Sequence, residues 1–274
     1  MRAPRPKRPR PPRLVRVTTI LKRASMVVFI LFVLYMATVA YSFGSSAFGI
    51  HGNGGSHNGN TGFNGTSTIT TWQQLNVTNS GLYPATFGTG LVVYNASGVV
   101  FGSGSTPATT ISRGDSAELI FGASLSVASG SPGQVLLTQS QTLQFGIWVN
   151  VTTGLYLLVP FMIHITQNQS WGAPFTDATA TAGVVGSQTS VTFAFDNNAS
   201  FSLGGTMAYQ VRTPGGASCG SGSFDVNTPE GQSFTYTVPT SCTSLTGDSF
   251  VANLSNNGGQ FPYSVDLPAI PVRG

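Results

Sequence analysis

The sequence predicts an all-β region of two tandem sandwiches that follows a single N-terminal transmembrane helix. Three observations support this fold class: one uncharged apolar stretch at residues 24–43, apolar residues that alternate with polar ones after residue 67, and Gly- and Pro-rich turns between the alternating segments. Twenty apolar residues in a helix span about 30 Å, which matches the hydrocarbon core of a bilayer. Alternation with a period of two is typical of half-buried antiparallel strands.

Residues 1–23 form a basic, Pro-rich tail. Nine of the twelve Lys and Arg residues lie in it, whereas the chain after residue 23 carries three basic and eight acidic residues. The net charge of +4 is therefore a property of the tail, and the rest of the chain lacks the basic surface of a nucleic-acid-binding protein. The positive-inside rule places the tail in the cytoplasm and residues 44–274 outside.

Residues 24–43 are the predicted transmembrane helix, through which the protein would contact the lipid bilayer. Two other interpretations of this segment stay open. A cleaved signal peptide also begins with basic residues, although its apolar core usually has about 7–15 residues. A pilin-type leader is the other interpretation, because Arg23-Ala24 directly before the apolar helix resembles the layout of archaeal pilins.

Residues 44–67 contain eight Gly in twenty-four positions, and Asn and Ser fill most of the others. This composition is typical of a flexible coil with a reach of about 25–30 Å. We therefore expect a linker that holds the following domains away from the membrane.

The region from residue 68 onward shows the alternation expected of strands. Apolar side chains occupy every second position from Leu143 to Val151, and the same pattern returns from Leu155 to Ile165. Shorter runs with the same period occur at Leu75/Val77, Ala117/Leu119/Phe121, Val191/Phe193/Phe195 and Phe234/Tyr236/Val238. No segment after residue 43 shows a helical pattern, so we expect the region to be all-β.

An internal repeat is indicated when the chain is shifted by 118 residues against itself. The shift pairs Asn79 with Asn197 and aligns two Gly-Ser-Gly-Ser runs, with eight identities in thirty-two positions. A repeat of this length predicts two sandwiches of roughly 100 residues each. We place the first at residues 68–167 and the second at residues 168–274.

Residues 75–121 carry a series of turn motifs between strands. The motifs are Val77-Thr78-Asn79 before Leu82-Tyr83-Pro84, then Ser97-Gly98-Val99-Val100-Phe101-Gly102-Ser103-Gly104, then Ile111-Ser112-Arg113-Gly114-Asp115-Ser116. This segment, with a second copy expected at residues 191–238, resembles the late-embryogenesis-abundant group 2 family, also called the water-stress and hypersensitive-response domain. The resemblance implies immunoglobulin-like seven-stranded sandwiches, often tethered to a membrane, with no catalytic residues.

Seven Asn-x-Ser/Thr sequons follow residue 43, and glycans on several of them would keep this weakly charged surface soluble. The candidate glycosylation sites are Asn64, Asn76, Asn95, Asn150, Asn168, Asn198 and Asn253. The apolar neighbours of Asn76 and Asn150 face inward in the predicted strands, so both Asn side chains are expected to face solvent.

Cys219 and Cys242 are the two cysteines of the chain. Both fall outside the membrane, where the environment is usually oxidising, so we predict one disulfide between them. A loop of this length is worth roughly 3 kcal/mol in the chain-entropy model. Because no His lies near either Cys in the sequence, we expect no metal site here.

The functional prediction is a membrane-anchored cell-surface protein with a structural or interaction role. Its partners would be the bilayer and an envelope or membrane protein, with no nucleic acid. We expect no catalytic activity and no cofactor, because the acidic pairs Asp115/Glu118 and Asp225/Glu230 flank turns. Two alternatives stay open: a pilin-like or envelope-filament component, and a polysaccharide- or partner-binding module, which would need exposed aromatic side chains in a row on one sheet.

Overall fold

The computed structural model describes residues 13–48, 50–52, 61–154, 158–257 and 262–274. In this part of the chain a long N-terminal helix precedes eighteen β-strands. The strands form two nine-stranded sheets, each of which folds over into a sandwich. The predicted all-β fold after one apolar N-terminal helix is therefore confirmed.

The elements follow one another along the chain as one helix and then strands. They are α1 (Arg13–Phe48), β1 (Ile50–Gly52), β2 (Gly62–Phe63), β3 (Gly65–Thr66), β4 (Thr68–Thr78), β5 (Ala85–Asn95), β6 (Val100–Ser105), β7 (Thr109–Ile111), β8 (Ser116–Ser126), a 3-10 turn (Pro132–Leu137), β9 (Gln141–Thr153), β10 (Val159–Trp171), β11 (Thr176–Val185), β12 (Gln188–Asp196), β13 (Leu203–Arg212), β14 (Ser218–Thr228), β15 (Ser233–Pro239), β16 (Ser249–Asn256), β17 (Tyr263–Asp266) and β18 (Ile270–Arg273).

The first sheet is antiparallel throughout. Its strands run in the order β1-β4-β8-β6-β5-β9-β10, with β2 beside β4 and β7 beside β5. Strand β6 pairs with both β5 and β8 and so connects the two layers of the sandwich.

The second sheet runs in the order β14-β13-β16-β18-β11-β12-β15, with β17 beside β16 and β3 beside β17. Here β18 connects the two layers, because it pairs antiparallel with β16 and parallel with β11. Strand β3 lies between β2 and β4 of the first sheet in the chain, yet it pairs with β17 of the second.

Helix α1 is longer than the predicted transmembrane segment at both ends. Its segment Ala24–Ser42 is apolar and long enough to cross a membrane. Residues 24–34 are exposed on every side of the helix. Further along the helix some side chains are buried: Val39 and Ser42 are both 1% exposed.

The described part of the predicted linker, residues 44–67, is ordered secondary structure and not a flexible coil. Helix α1 continues through Phe48, and β1, β2 and β3 follow. Strands β1 and β2 bond to β4, and β3 bonds to β17. Composition cannot reveal such pairing, since main-chain hydrogen bonds do not require particular side chains. Residues 49 and 53–60 of the predicted linker lie outside the described residues.

The predicted alternation is confirmed in most strands. In β9, Leu143, Phe145, Val149 and Val151 are all buried. The second sandwich has a core rich in aromatic rings, formed by Phe193, Phe195, Phe224, Phe234 and Phe250 with Tyr209. Removal of these apolar faces from water is the main driving force for both sandwiches.

Strand β10 departs from the predicted burial. Phe161 and Ile163 are only half-buried and Ile165 is 42% exposed, whereas the alternation predicts an inward face from Leu155 to Ile165. The reason is position: β10 is the last strand of the first sheet and pairs with β9 on one side alone among the described residues. Leu155 itself lies outside the described residues.

Asn79 organises a corner of the first sandwich. Its Nδ2 donates to the carbonyl oxygens of Tyr83 and Ile111, each at 2.9 Å. Its Oδ1 accepts from the backbone N–H of Gly81 at 3.0 Å, and its own carbonyl accepts from Gly114 N–H at 2.7 Å. The buried asparagine therefore satisfies backbone groups from two separate segments, residues 81–83 and 111–114.

Asn197 makes the equivalent bonds in the second sandwich. Its Nδ2 donates to the carbonyl oxygens of Phe201 and Thr228, each at 3.0 Å. Its own carbonyl accepts from Gly231 N–H at 2.7 Å. The shift of 118 residues that pairs Asn79 with Asn197 in the sequence thus pairs two equivalent corners in space, which supports the internal repeat.

The two sandwiches meet in an aromatic junction. The ring of Phe63 lies 5.5 Å from that of Phe201 and 5.1 Å from that of Tyr263. Trp171, the last residue of β10, has its ring 6.5 Å from Phe201 and donates through Nε1 to the Leu136 carbonyl at 2.8 Å. The predicted boundary after residue 167 therefore falls inside a strand, since β10 pairs with β9 through Trp171.

Candidate functional site

Helix α1 contacts the first sandwich at the corner formed by residues 80–84. The hydroxyl groups of Thr38 and Tyr83 are 2.8 Å apart and hydrogen-bonded. The backbone N–H of Leu82 donates to Ser42 Oγ at 2.9 Å. The outer part of the apolar helix is therefore joined directly to the β region.

The edge strand β10 and the residue before it expose apolar side chains on both faces of the strand. Leu158, Met162 and Ile165 are 63%, 72% and 42% exposed. Edge strands usually carry charges that oppose pairing with other chains, but no charged residue lies between Glu118 and Asp177. This edge is therefore suited to contact another apolar surface.

The outer face of β5, β9 and β10 carries an aromatic cluster above two glycines. Trp148 lies on Gly90 of the neighbouring strand, where a Cβ atom would overlap the indole ring. A Cβ on Gly146 would lie 3.2 Å from Tyr94 Cε1 and 3.4 Å from His164 Nε2. We refer to Tyr94, Trp148 and His164 together as the Trp148 face.

The other two Trp residues do not belong to this face. Trp72 lies on β4, is 43% exposed and covers Gly122. Strands β8, β6 and β5 lie between β4 and β9 in the sheet order. Trp171 is 8% exposed and belongs to the junction. The three Trp side chains therefore form no common platform.

The seven sequons differ in accessibility. The exposed ones are Asn76, Asn168 and Asn198, and the half-buried ones are Asn64, Asn95, Asn150 and Asn253. Nδ2 of Asn253 donates to Ser264 Oγ at 3.0 Å and to Asp266 Oδ1 at 2.8 Å. A glycan on this nitrogen would break these bonds, so Asn253 is the sequon least compatible with modification.

The predicted disulfide between Cys219 and Cys242 is present, with a Cα–Cα distance of 5.0 Å. It connects β14 to the segment after β15, and these two strands are the opposite ends of the second sheet. The disulfide thus closes the side of the second sandwich that β18 leaves open.

Asp248 is a residue near the disulfide that sequence reasoning missed. It is 2% exposed, and its Oδ2 lies 3.6 Å from Cys219 Sγ. The two sulfur atoms and this carboxylate lie within 4.8 Å of one another. Because the sulfurs are bonded to each other, neither offers a thiolate to a metal ion. No spacing signal in the sequence links Asp248 to either Cys.

The two predicted acidic pairs are exposed and belong to separate sandwiches, Asp115 and Glu118 to the first and Asp225 and Glu230 to the second. Glu118 lies in strand β8 and Asp225 in strand β14, and not on turns. A shallow depression elsewhere is lined mainly by Ala182, Gly183, Val184, Thr189, Leu245 and Thr246, none of which has a titratable side chain. These groups do not combine into an acid–base pair.

Two tyrosines have altered acidity. Burial raises the pKa of Tyr263, and the N–H of Gly204, which points at its Oη, acts in the opposite direction. Tyr263 Oη in turn donates to the Gly204 carbonyl at 2.6 Å. Burial, followed by the nearby Tyr236, raises the pKa of Tyr209. Both hydroxyl groups therefore stay protonated to higher pH than free tyrosine.

No family model matches the chain, and no curated protein matches it. Among solved structures, red sea bream transglutaminase shares 10% identity at a TM-score of 0.27, with 80% of this chain and 32% of that chain covered. The YadV chaperone shares 10% identity at 0.23, with 73% and 100% covered. The class 5 fimbriae chaperone CfaA shares 8% at 0.21, with 72% and 92% covered.

The chain thus spans about a third of the transglutaminase chain. We draw no functional conclusion from similarities of this size. The resemblance to the late-embryogenesis-abundant group 2 family stays a prediction.

Proposed function

We propose that this protein is a membrane-anchored, non-enzymatic protein of the cell surface, whose two β-sandwiches have a structural or interaction role. The observation that carries the proposal is the N-terminal part of α1, where residues 24–34 are apolar and exposed on every side. A helix that is apolar all round needs lipid or other apolar helices around it. The segment Ala24–Ser42 is long enough to cross a bilayer.

Three features support an orientation with the sandwiches outside. The basic tail of residues 1–23 precedes the helix, and the positive-inside rule keeps such a tail in the cytoplasm. The Cys219–Cys242 disulfide is typical of proteins in oxidising compartments. Exposed sequons such as Asn76 and Asn168 would be open to glycosylation there.

The exposed apolar residues at the edge of β10 support an interaction role. The placement of the acidic residues supports a non-enzymatic role. The edge presents Leu158, Met162 and Ile165 to solvent without a protecting charge. Asp115 and Asp225 are exposed in separate sandwiches, so these two carboxylates do not form a pair for acid–base catalysis.

Membrane extraction and surface proteolysis of the native protein test the proposal. The protein is expected to stay with membranes through alkaline carbonate washing, and external protease on intact cells is expected to degrade the sandwiches but spare the tail. Recovery in the soluble fraction, or full protection of the sandwiches, would contradict the proposal.

A second candidate function is a pilin-like or envelope-filament component that assembles through α1. The observation in its favour is the direct contact of the helix with the first sandwich, in which Thr38 bonds to Tyr83 and Ser42 to Leu82. A helix joined to its head without a spacer suits ordered packing of many copies. N-terminal sequencing of native protein separates the two: a start at Ala24 or Ser25 favours the filament, and an intact tail favours the anchor.

A further inference from the structure

The Trp148 face is an exposed aromatic surface that neither proposed function uses. Trp148 and Tyr94 are half-buried and His164 is exposed. Trp148 stands directly opposite His164 on β10 and Gly90 on β5. Because one face of the indole covers the Gly90 backbone, its other face points away from the sheet.

The chemistry of this face fits a neutral sugar ring. The C–H groups on one side of a pyranose form an apolar surface, and large aromatic rings offer the matching flat face. No charged residue lies between Arg23 and Arg113 or between Glu118 and Asp177, so β5, β9 and β10 contain none. An anionic or cationic ligand would find no counter-charge on these strands.

A source for such a sugar lies on the same strand. Asn150 begins the sequon Asn150-Val151-Thr152, and it shares the outer face with Trp148 at a spacing of about 7 Å. On β5 the residue opposite Asn150 is Gly88, which has no side chain. On β10 the residue opposite Asn150 is Met162, whose side chain is 72% exposed. The Asn150 side chain makes no hydrogen bond within the described residues, in contrast to Asn253.

The spacing from aromatic to sequon is unique to this site. The residues two positions before the seven sequon asparagines are Gly62, Gln74, Val93, Trp148, Thr166, Asp196 and Val251. Since side chains two positions apart share one face of a strand, Asn150 is the sequon whose sugar can reach an aromatic neighbour along its own strand.

We propose that the Trp148 face is the surface against which the chain's own glycan at Asn150 packs, with the first neutral sugar in contact with the indole of Trp148. Attachment forms a bond between Asn150 Nδ2 and C1 of a lipid-linked sugar phosphate, whose phosphate leaves with the amide proton. The inference rests on the proposed export of the sandwiches, since glycans are added outside the cytoplasm.

Glycopeptide mapping and hydroxyl-radical footprinting of the native, membrane-extracted protein test the proposal. We expect Asn150 to be occupied and Trp148 to be oxidised several-fold more slowly in the wild type than in Thr152→Ala, which removes the sequon but keeps Asn150. Trp72 is the internal control and should react equally in both. Asn76→Gln, whose sequon has Gln74 at the matching position, should leave Trp148 unchanged.

A double-mutant comparison adds a second readout that does not depend on oxidation. Loss of the glycan in Thr152→Ala should lower Tm by about 2–4 °C in the wild-type background and by less than 1 °C in the Trp148→Leu background. Trp148→Phe, which keeps an aromatic face, should restore most of the dependence on the glycan.

Several outcomes would overturn the inference. Equal oxidation of Trp148 with and without the sequon, or additive effects on Tm, would show that the sugar does not contact the ring. An unoccupied Asn150 in membrane-bound protein would refute this inference alone, whereas recovery of the protein in the soluble fraction would refute the proposed anchoring. Binding of unmodified protein to cellulose or chitin that requires Trp148 would assign the face to an external polysaccharide instead.

Discussion

Two buried asparagines, Asn79 and Asn197, hold equivalent corners in the two sandwiches. Each amide is fully buried and donates to backbone carbonyl oxygens. One acceptor is four residues away in the chain, and another is more than thirty residues away. Loss of the amide removes this donor from these acceptors, and each buried group left unsatisfied costs about 1–3 kcal/mol.

Replacement of either corner asparagine by Ala should therefore lower the free energy of unfolding by about 2–4 kcal/mol. Asn227→Ala is the matched control, because Asn227 is exposed on β14, and should change the value by less than about 0.5 kcal/mol. Chemical denaturation followed by fluorescence measures both. Similar stability of Asn79→Ala and Asn227→Ala would contradict this account of the corner.

Tyr263 predicts a specific dependence of stability on pH. Burial raises its folded-state pKa above the value of about 10 for a free tyrosine, so the folded state holds the proton more tightly than the unfolded state. The resulting contribution is fully present below about pH 10 and is lost as the pH rises through the folded pKa.

The wild type should therefore lose stability more steeply than Tyr263→Phe as the pH rises above about 10. The variant should also be less stable at pH 7, because it lacks the bond from Tyr263 Oη to the Gly204 carbonyl. Thermal unfolding across this pH range checks the slopes. Parallel profiles for the two proteins would show that Tyr263 ionises equally in both states.

At the scale of the elements, the disulfide secures the two end strands of the second sheet. Neither β14 nor β15 pairs with β18, which joins the two layers at the middle of the strand order. The Cys219–Cys242 link therefore joins these two ends of the sheet, beside the bond from Ser241 N–H to the Cys219 carbonyl at 2.9 Å.

The double variant Cys219→Ser/Cys242→Ser should be less stable than the wild type by about 3 kcal/mol. Hydrogen exchange should accelerate mainly in β14 and β15 and remain unchanged in β4 and β9 of the first sandwich. Reduced wild-type protein should behave like the variant. Uniform acceleration across both sandwiches would contradict the local role.

The sequence predicts some elements well and others poorly, for physical reasons. Strand β9 follows its alternation because opposing strands bury one side of it, as the burial of Leu143 and Val151 shows. Strand β10 has the same alternation but lies at the edge, and position within a sheet is set by pairing that the pattern does not encode. Residues 50–52, 62–63 and 65–66 of the Gly-rich segment pair through their backbone, which composition does not reveal.

Features of the candidate site also differ in whether the sequence could predict them. The Cys219–Cys242 pairing could be predicted because the chain has only two cysteines. The Trp148 face could not, since Gly90 and His164 lie opposite Trp148, and Tyr94 lies against Gly146, only through the register of three strands. Asp248 meets the disulfide for the same reason, through tertiary packing alone.

At the scale of the whole molecule, the aromatic junction couples the two sandwiches. Phe63 is 6% exposed and packs against Phe201 and Tyr263 of the second sandwich. Strand β3, two residues later, adds main-chain bonds to β17. The segment of β2 and β3 thus contributes to both sandwiches.

Phe63→Ala should separate the unfolding of the two sandwiches into two calorimetric transitions, because truncation of a buried Phe costs about 3–5 kcal/mol at the contact. Phe87→Ala is the control, since Phe87 is buried within the first sandwich. Phe87→Ala should lower the unfolding temperature, but it should not split the transition in two, because it leaves the junction contacts intact. One unchanged transition in Phe63→Ala would indicate that the junction does not couple the sandwiches.

Strand β18 has a consequence for the timing of folding. It joins the layers of the second sandwich by pairing with β11 some ninety positions earlier in the chain, where Ala180 aligns with Val272. The first sandwich needs no strand beyond β10, so it can form while the rest of the chain is still being synthesised or translocated. The second must wait for residues 270–273, and until they arrive its aromatic core is a target for chaperones and proteases.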